Sequence, residues 1–351
     1  MRPRVATLAA SAFLLALLVP VASVSAASAI HVHHGQSIQA AISGAPASSV
    51  IYVAPGTYPG NLEIARSVHL IGDHAAIVPA ESPRDNPCLA FLPGVPGICA
   101  HGTFNLDGSI QSSISNVSIE GFTVRNFSGP GIVVAGVDGF RAVRDVTAHN
   151  GSWGIAANVS KDVSLLDNTS YDNGSDGLHV DFAPHANAVI TGNTSYRNLG
   201  YGIFFLDALG GRIASNDVHD NCAGIGVAAL GDPTGNVSVQ RNQVTSNNRL
   251  CPEVPFQAPP FGGIGIILIG AQNTTVERNV VRNNRAQAGS AFPGGGIVML
   301  DAIFGGDPPT GNSIRQNRLS GNTPFDIYGD GSGSLNTVSG NSCHTTNLGG
   351  C

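Results

Sequence analysis

The residues best suited to chemistry fall in one short run, Asp176-Gly-Leu-His179-Val-Asp181-Phe-Ala-Pro-His185. A histidine beside a carboxylate works as a general acid or base, because the carboxylate orients the imidazole and stabilises its charged form. Read as a β-strand, side-chain alternation sends His179 and Asp181 to one face, about 7 Å apart. His179 is then the acid/base and Asp181 its orienting partner, with Asp176 and His185 as nearby assistants. Asp176 and Asp181 also form a candidate carboxylate pair for inverting hydrolysis, which needs room for a water between them. The bland alternative is that His179 is a solvated surface residue.

What must position these groups is a repeat. Asn168-Thr-Ser-Tyr-Asp-Asn173 returns as Asn193-Thr-Ser-Tyr-Arg-Asn198, and each copy leads into a glycine and an apolar run. The first asparagine recurs at Asn168, Asn193, Asn216, Asn242, Asn279, Asn317 and Asn341. The second recurs at Asn150, Asn173, Asn198, Asn221, Asn247, Asn284 and Asn322. Earlier copies place Asp145 and Phe122 in the first slot. A glycine-apolar pair follows at Gly131, Gly154, Gly177, Gly202, Gly224, Gly263 and Gly296. Self-similarity at a fixed period is the mark of stacked coils. Short β-branched alternations separated by Gly and Asn specify strands joined by tight turns. One asparagine per coil can hydrogen-bond its amide to those above and below, forming a ladder.

Stacking extends the face map across coils. The residue after each glycine points inward: Ile132, Ile155, Leu178, Ile203, Ile225, Ile264 and Ile297. The residues two and four after it point outward. Asn158 therefore lies one coil before Asp181, and Phe204 one coil after His179, each about 4.8 Å away. Trp153 and Tyr201 precede the same strand on either side of Asp176, where ring faces would stack on sugars. A second outward column holds Tyr171, Tyr196 and His219. The alternative for these aromatics is that they cover backbone.

This pattern resembles the right-handed parallel β-helix family with pectin-lyase-like repeats, over roughly Ile30 to Cys351. The opening Gly35-Gln-Ser-Ile-Gln-Ala-Ala-Ile42, then Val50-Ile-Tyr-Val-Ala-Pro-Gly-Thr-Tyr58, is similar to that family's short capping helix and first coil. The resemblance implies an all-β, single-stranded right-handed parallel β-helix of roughly ten coils with an amino-terminal capping helix. It implies recognition or modification of an extracellular polysaccharide, by β-elimination, epimerisation or hydrolysis of an acidic glycan if catalytic. The competing class is a non-catalytic envelope or periplasmic accessory scaffold. Asp176-Gly-Leu-His-Val-Asp181 is similar to the Asp-Gly-x-Asp segment of pectin-type hydrolases, whose Asp-Asp pair and Gly-His-Gly segment are absent here. Asp181-Phe-Ala-Pro184-His185 faintly resembles the Asp-Pro-His motif of uronan epimerases and lyases. No cofactor is implied. Calcium stays open through the pectate lyases, although the acidic cluster those enzymes use is not found in this sequence.

The remaining features set the surroundings. Residues 1–29 read as a signal peptide, with Arg2 and Arg4 ahead of an apolar core and Val24-Ser-Ala26 or Ala27-Ser-Ala29 as cleavage site. The mature domain is 30–351, secreted and expected to be monomeric, with no later membrane span. Irregular inserts fall at 80–111, 248–262, 285–295 and 301–311, the second and third side by side. Six cysteines suit export, and their local spacing suggests Cys88–Cys99, Cys222–Cys251 and Cys343–Cys351. Only 11% of residues are charged, with a net charge of −6 and no basic stripe, which argues against a nucleic-acid partner. Arg125, Arg197, Arg212 and Arg241 are the residues to test for a basic patch. If they scatter, acidic glycans become poor substrates.

Overall fold

A computed structural model describes residues 29–351 apart from 91, 93, 253–258 and 304. The signal segment thus lies outside the described residues except for Ala29, which opens the first strand. An α-helix, Ile38–Gly44, caps the stack, its start fixed by Ser37, whose side chain accepts from Ala40 N–H. Strands then wind in parallel coils. Each coil supplies a short strand before the first asparagine, another after it, and a third after the glycine.

The third set forms what we term the front sheet, running from Leu62–Ile64 and Ile98–His101 through Ile132–Ala135, Ile155–Asn158 and Leu178–Ala183 to Phe325–Gly329. Its inward column is Ile98, Ile132, Ile155, Leu178, Ile203, Ile225, Ile266, Ile297 and Ile327, all fully buried. Burying each such side chain contributes roughly 1.5–3 kcal/mol, which holds neighbouring coils in register.

The expected register slips once. Gly224 stands opposite Gly265, not Gly263, because Ile225 pairs with Ile266. Ile264 therefore sits in the outer apolar layer, opposite Ala223, rather than in the core. A Cβ on Gly265 would lie 2.9 Å from the Asn284 amide nitrogen, as one on Gly177 would lie 2.8 Å from that of Asn198. Gly263, at φ +78°, is instead the last joint of an insert. The glycine column thus exists because the asparagine amide of the coil occupies the space a side chain would need.

Both ladders form. Asn168 accepts nothing from chance neighbours: its amide donates to Asn193 Oδ1 (3.0 Å) and to the Ala142 carbonyl (3.0 Å). The sequence continues through Asn216, Asn242, Asn279 and Asn317 to Asn341. The second ladder runs from Asn150 to Asn322.

All three disulfides pair as the spacing suggests. The expected irregular insert 80–111 in fact contains the regular front-sheet strand Ile98–His101, and Cys99 on that strand fastens the preceding irregular part, with Cys88, down on the sheet. Cys222–Cys251 fastens the 248–262 insert in the same way. The 285–295 insert lies beside it: Ala291 N–H donates to the Pro260 carbonyl at 2.7 Å, and Arg285 N–H to Asn248 Oδ1 at 2.7 Å. Among the described residues no helix is long and apolar enough to cross a membrane. Disulfides of this number persist in oxidising compartments outside the cytoplasm.

Candidate functional site

Three columns line the outer side of the front sheet. The first contains Trp153, Asp176, Tyr201 and Ala223, as the Gly154 N–H to Asp176 and Gly177 N–H to Tyr201 carbonyl bonds show. The second contains Cys99, Val133, Ala156, His179, Phe204 and Gly226. The third contains His101, Ala135, Asn158, Asp181 and Leu206. Strand alternation thus places His179, Asp181, Asn158 and Phe204 together as expected.

The face is not open, however. His179 is only 3% exposed, Asp176 5% and Asp181 4%. The inserts explain this. Cys88 and Leu92 pack over Val133 and Ala156 with Trp153. Beyond His179, Phe261 and Phe292 cover Tyr201, Phe204 and Ile264. The reading of His179 as a solvated residue is corrected: it lies between two apolar covers. Its ring stacks on Trp153 (4.8 Å, 24°) and meets Phe204 edge-on (5.5 Å, 65°).

Asp176 proves to be the direct orienting partner. Its Oδ2 is 2.8 Å from His179 Nδ1, and its Oδ1 accepts Tyr201 N–H at 2.7 Å. His179 Nε2 lies 3.2 Å from Asp181 Oδ2, within ion-pair range, yet the N–H is not aligned for a hydrogen bond. Burial disfavours the imidazolium, but the Asp181 and Asp176 carboxylates outweigh it and raise the His179 pKa to about 10. His179 is therefore protonated at neutral pH and acts as an acid or a fixed positive charge. With Asp176 saturated and an imidazole between the carboxylates, the two are not a hydrolase pair flanking a water.

That shift has a consequence for stability. The folded pKa of His179 lies above its unfolded value of 6.5. The stabilisation is complete below about pH 6.5 and is lost as pH rises towards 10. His179→Gln, which leaves two buried carboxylates without a countercharge, is expected to destabilise the protein by about 3–5 kcal/mol at pH 7. It should also remove the alkaline slope. Urea denaturation at a series of pH values checks both.

Three buried polar atoms in this patch have no hydrogen-bond partner: His179 Nε2, Asp181 Oδ1 and Asn158 Oδ1. Asn158 and Asp181 are register neighbours on adjacent strands. These atoms are closed to solvent, so a ligand hydroxyl reaches the two acceptors only when a covering side chain moves aside. For calcium the patch offers only the Asp181 and Asn158 oxygens, short of the roughly six to eight oxygen ligands that ion takes. Nor do three His, Cys, Asp or Glu side chains converge as a metal site among the described residues.

Other expected residues fall elsewhere. His185 is exposed in the turn after the strand and makes no hydrogen bond or ion pair among the described residues. Tyr201 is 6% exposed, its ring held between Phe204 (4.1 Å) and Phe261 (5.0 Å). Burial and the Asp176 carboxylate push its hydroxyl pKa up. Neither Tyr201 nor Phe204 offers a free face to a sugar. Tyr171, Tyr196 and His219 stack on one another at 5.0 and 5.1 Å, on a different strand set. Arg197 lies over Tyr196 and pairs with Asp172 at 2.6 Å. Sequence reasoning missed the Glu63–His101 pair (3.2 Å), in which His101 opens the third column and Glu63 aligns with Cys99 of the second. The signal was there, since His101 ends the strand Ile98–His101 as Asp181 follows Leu178 by three.

The four arginines scatter. Arg125 ends the strand Val117–Arg125, Arg197 and Arg241 lie in turns, and Arg212 aligns with Val189. None is on the front sheet.

The sequence pattern described as the right-handed β helix region matches residues 108–301. No curated protein matches the chain. Among solved structures it is similar to the A-module of the mannuronan C-5 epimerase AlgE4 of Azotobacter vinelandii, at 19% identity and TM-score 0.63, covering 89% of this chain and 93% of that one. The AlgE6 A-module of the same organism gives 16% and 0.59, covering 89% and 91%. The DFA-IIIase of Arthrobacter chlorophenolicus A6 in complex with GF2 gives 13% and 0.51, covering 86% and 89%. These likenesses are of fold.

Proposed function

The chain belongs to the right-handed β-helix family, and from that premise we propose that it is an exported protein that binds an uncharged polysaccharide at the front sheet around Asn158, His179 and Asp181. The observation that carries this reading is a pair of buried acceptors without a hydrogen-bond partner, Asn158 Oδ1 and Asp181 Oδ1, on register neighbours beside the His179–Asp181 ion pair. A sugar hydroxyl satisfies such atoms by donating to one oxygen while accepting from the imidazolium. Mannuronan-type epimerases among the fold's neighbours support a carbohydrate ligand in general, but the local charge opposes an acidic one. Two carboxylates and one imidazolium leave the patch at about −1, and among the described residues no arginine or lysine forms an ion pair with Asp176 or Asp181.

If the bound sugar is modified, Asp181 is the base, because it holds the free oxygen and His179 is already protonated. His179 is the acid. Asp176 holds the imidazole in place. Epimerisation or β-elimination of a uronate would build negative charge where the protein is already negative, and His179 and Asp181, only 3.2 Å apart, leave no room between them for the water of an inverting hydrolysis.

The competing reading is a scaffold in which the triad only ties three strands together, favoured by its burial under Trp153. A panel of neutral and acidic polysaccharides in affinity electrophoresis, with reducing ends and unsaturated products measured in parallel, separates the two. Retention by a neutral glycan, weakened about tenfold by Asp181→Asn, is the expected result. Retention by acidic glycans alone removes the charge argument, and no retention at all leaves the scaffold.

A further inference from the structure

The corner that follows several front-sheet strands turns through a left-handed residue, though Ala229, after the strand Ala223–Ala228, does not. Gly136, Val159, Phe182, Asp207 and Gly270 occupy this position in register, at φ between 45° and 66°. Non-glycine residues at positive φ are common in this chain, because each coil has several such corners. Elsewhere they are polar: Arg144, Asp167, Ser215 and Arg241 at one corner, His149, Asp172, Arg197 and Asp220 at another. Among the described residues, Val159, Phe182 and Leu335 are the apolar exceptions. A β-branched or bulky side chain costs backbone strain in this conformation, which a glycine at the same position avoids.

Val159 and Phe182 are consecutive in the column and stand 44% and 50% exposed. Each directly follows one of the two residues with an unpartnered acceptor, Asn158 and Asp181. Phe182 makes no ring contact among the described residues, unlike Tyr201, Phe204, Tyr171 and Tyr196, whose faces are occupied. Strain retained at two adjacent corners, beside the polar patch, needs a compensating gain. Folding supplies only part of it, since about half of each side chain stays exposed.

We infer that Val159 and Phe182 form an apolar platform for the flat C–H face of a hexopyranose ring. The hydroxyl edge of the same glycan lies towards Asn158 and Asp181. This rests on the reading of the polar patch as a neutral-glycan site and adds the surface that seats the ring. Asp207, held by Leu230 N–H at 2.7 Å, bounds the platform in the next coil.

Phe182→Gly and Val159→Gly test it, because glycine accepts the corner conformation and should hold or raise the thermal midpoint. The platform is supported if Phe182→Gly weakens neutral-glycan affinity about tenfold while the midpoint does not fall. It is overturned alone if Phe182→Gly binds within about twofold of wild type while Asp181→Asn loses affinity. Absence of binding by the wild type overturns the glycan site and the platform together.

Discussion

Asp145→Asn is expected to raise the denaturation midpoint at pH 7 and to flatten the fall in stability between about pH 4 and pH 8. Asp145 occupies the ladder slot that asparagine fills from Asn168 onward. Its Oδ1 accepts Phe122 N–H at 2.8 Å, and its own N–H donates to Asn168 Oδ1 at 2.9 Å, as an asparagine's would. Its Oδ2 is buried without a partner. In Asn168 the corresponding atom is an amide nitrogen, which donates to the Ala142 carbonyl and Asn193 Oδ1. By register, Asp145 Oδ2 faces the Ile119 carbonyl, which pairs with Ala142, and Asn168 Oδ1. Both are acceptors, so a charged Oδ2 finds no donor among them, whereas a protonated acid can donate. Burial accordingly raises the Asp145 pKa from 3.8 to about 8.

The sign follows. A folded pKa above the unfolded one stabilises the protein fully below about pH 4, and this is lost as pH rises towards 8. Keeping the proton at pH 7 costs on the order of 4 kcal/mol relative to acid conditions. An amide donates at every pH and avoids that cost. Midpoints of wild type and Asp145→Asn, taken from pH 4 to 8, should diverge as pH rises. Parallel curves would mean that Oδ2 finds a donor.

Asn193→Ala should show the largest loss of stability, on the order of 4 kcal/mol or more. The Asn193 side chain accepts from Asn168 N–H and Nδ2 at 2.9 and 3.0 Å, and donates to the Leu165 carbonyl and Asn216 Oδ1, each at 2.9 Å. Alanine leaves these groups buried and unpaired in the middle of the stack, where coils touch only their neighbours. Asn193→Asp should behave as a second Asp145, tolerated in acid and destabilising at neutral pH. Guanidinium denaturation followed by circular dichroism at pH 4.5 and 7.5 reads both variants. A cost below about 1 kcal/mol for alanine would mean that water replaces the amide.

Much of this architecture was legible because it arises from local, periodic interactions. The spacing of Asn168, Asn193 and Asn216 specified a ladder, since an amide repeated once per coil can only meet its own copies. The glycine column followed from the same amides, which leave no room for a Cβ. Alternation along one strand was enough to put His179 and Asp181 on a common face. Local cysteine spacing gave the disulfide pairs.

What the repeat could not express is what lies on top of it. The irregular part of 80–111 and the 248–262 insert have no period, and their docking on the front sheet depends on contacts between distant parts of the chain. Only the tertiary structure therefore decided that His179 is buried beneath Trp153, that Asp176 rather than Asp181 holds its hydrogen bond, and that Tyr201 is sealed by Phe261. The insert before Gly263 also displaced the strand start by two residues, which no spacing rule anticipates. The coils were fixed by contacts each residue makes with its own kind; the character of the site was set by long-range burial, which changes the charge and access of groups whose positions were already determined.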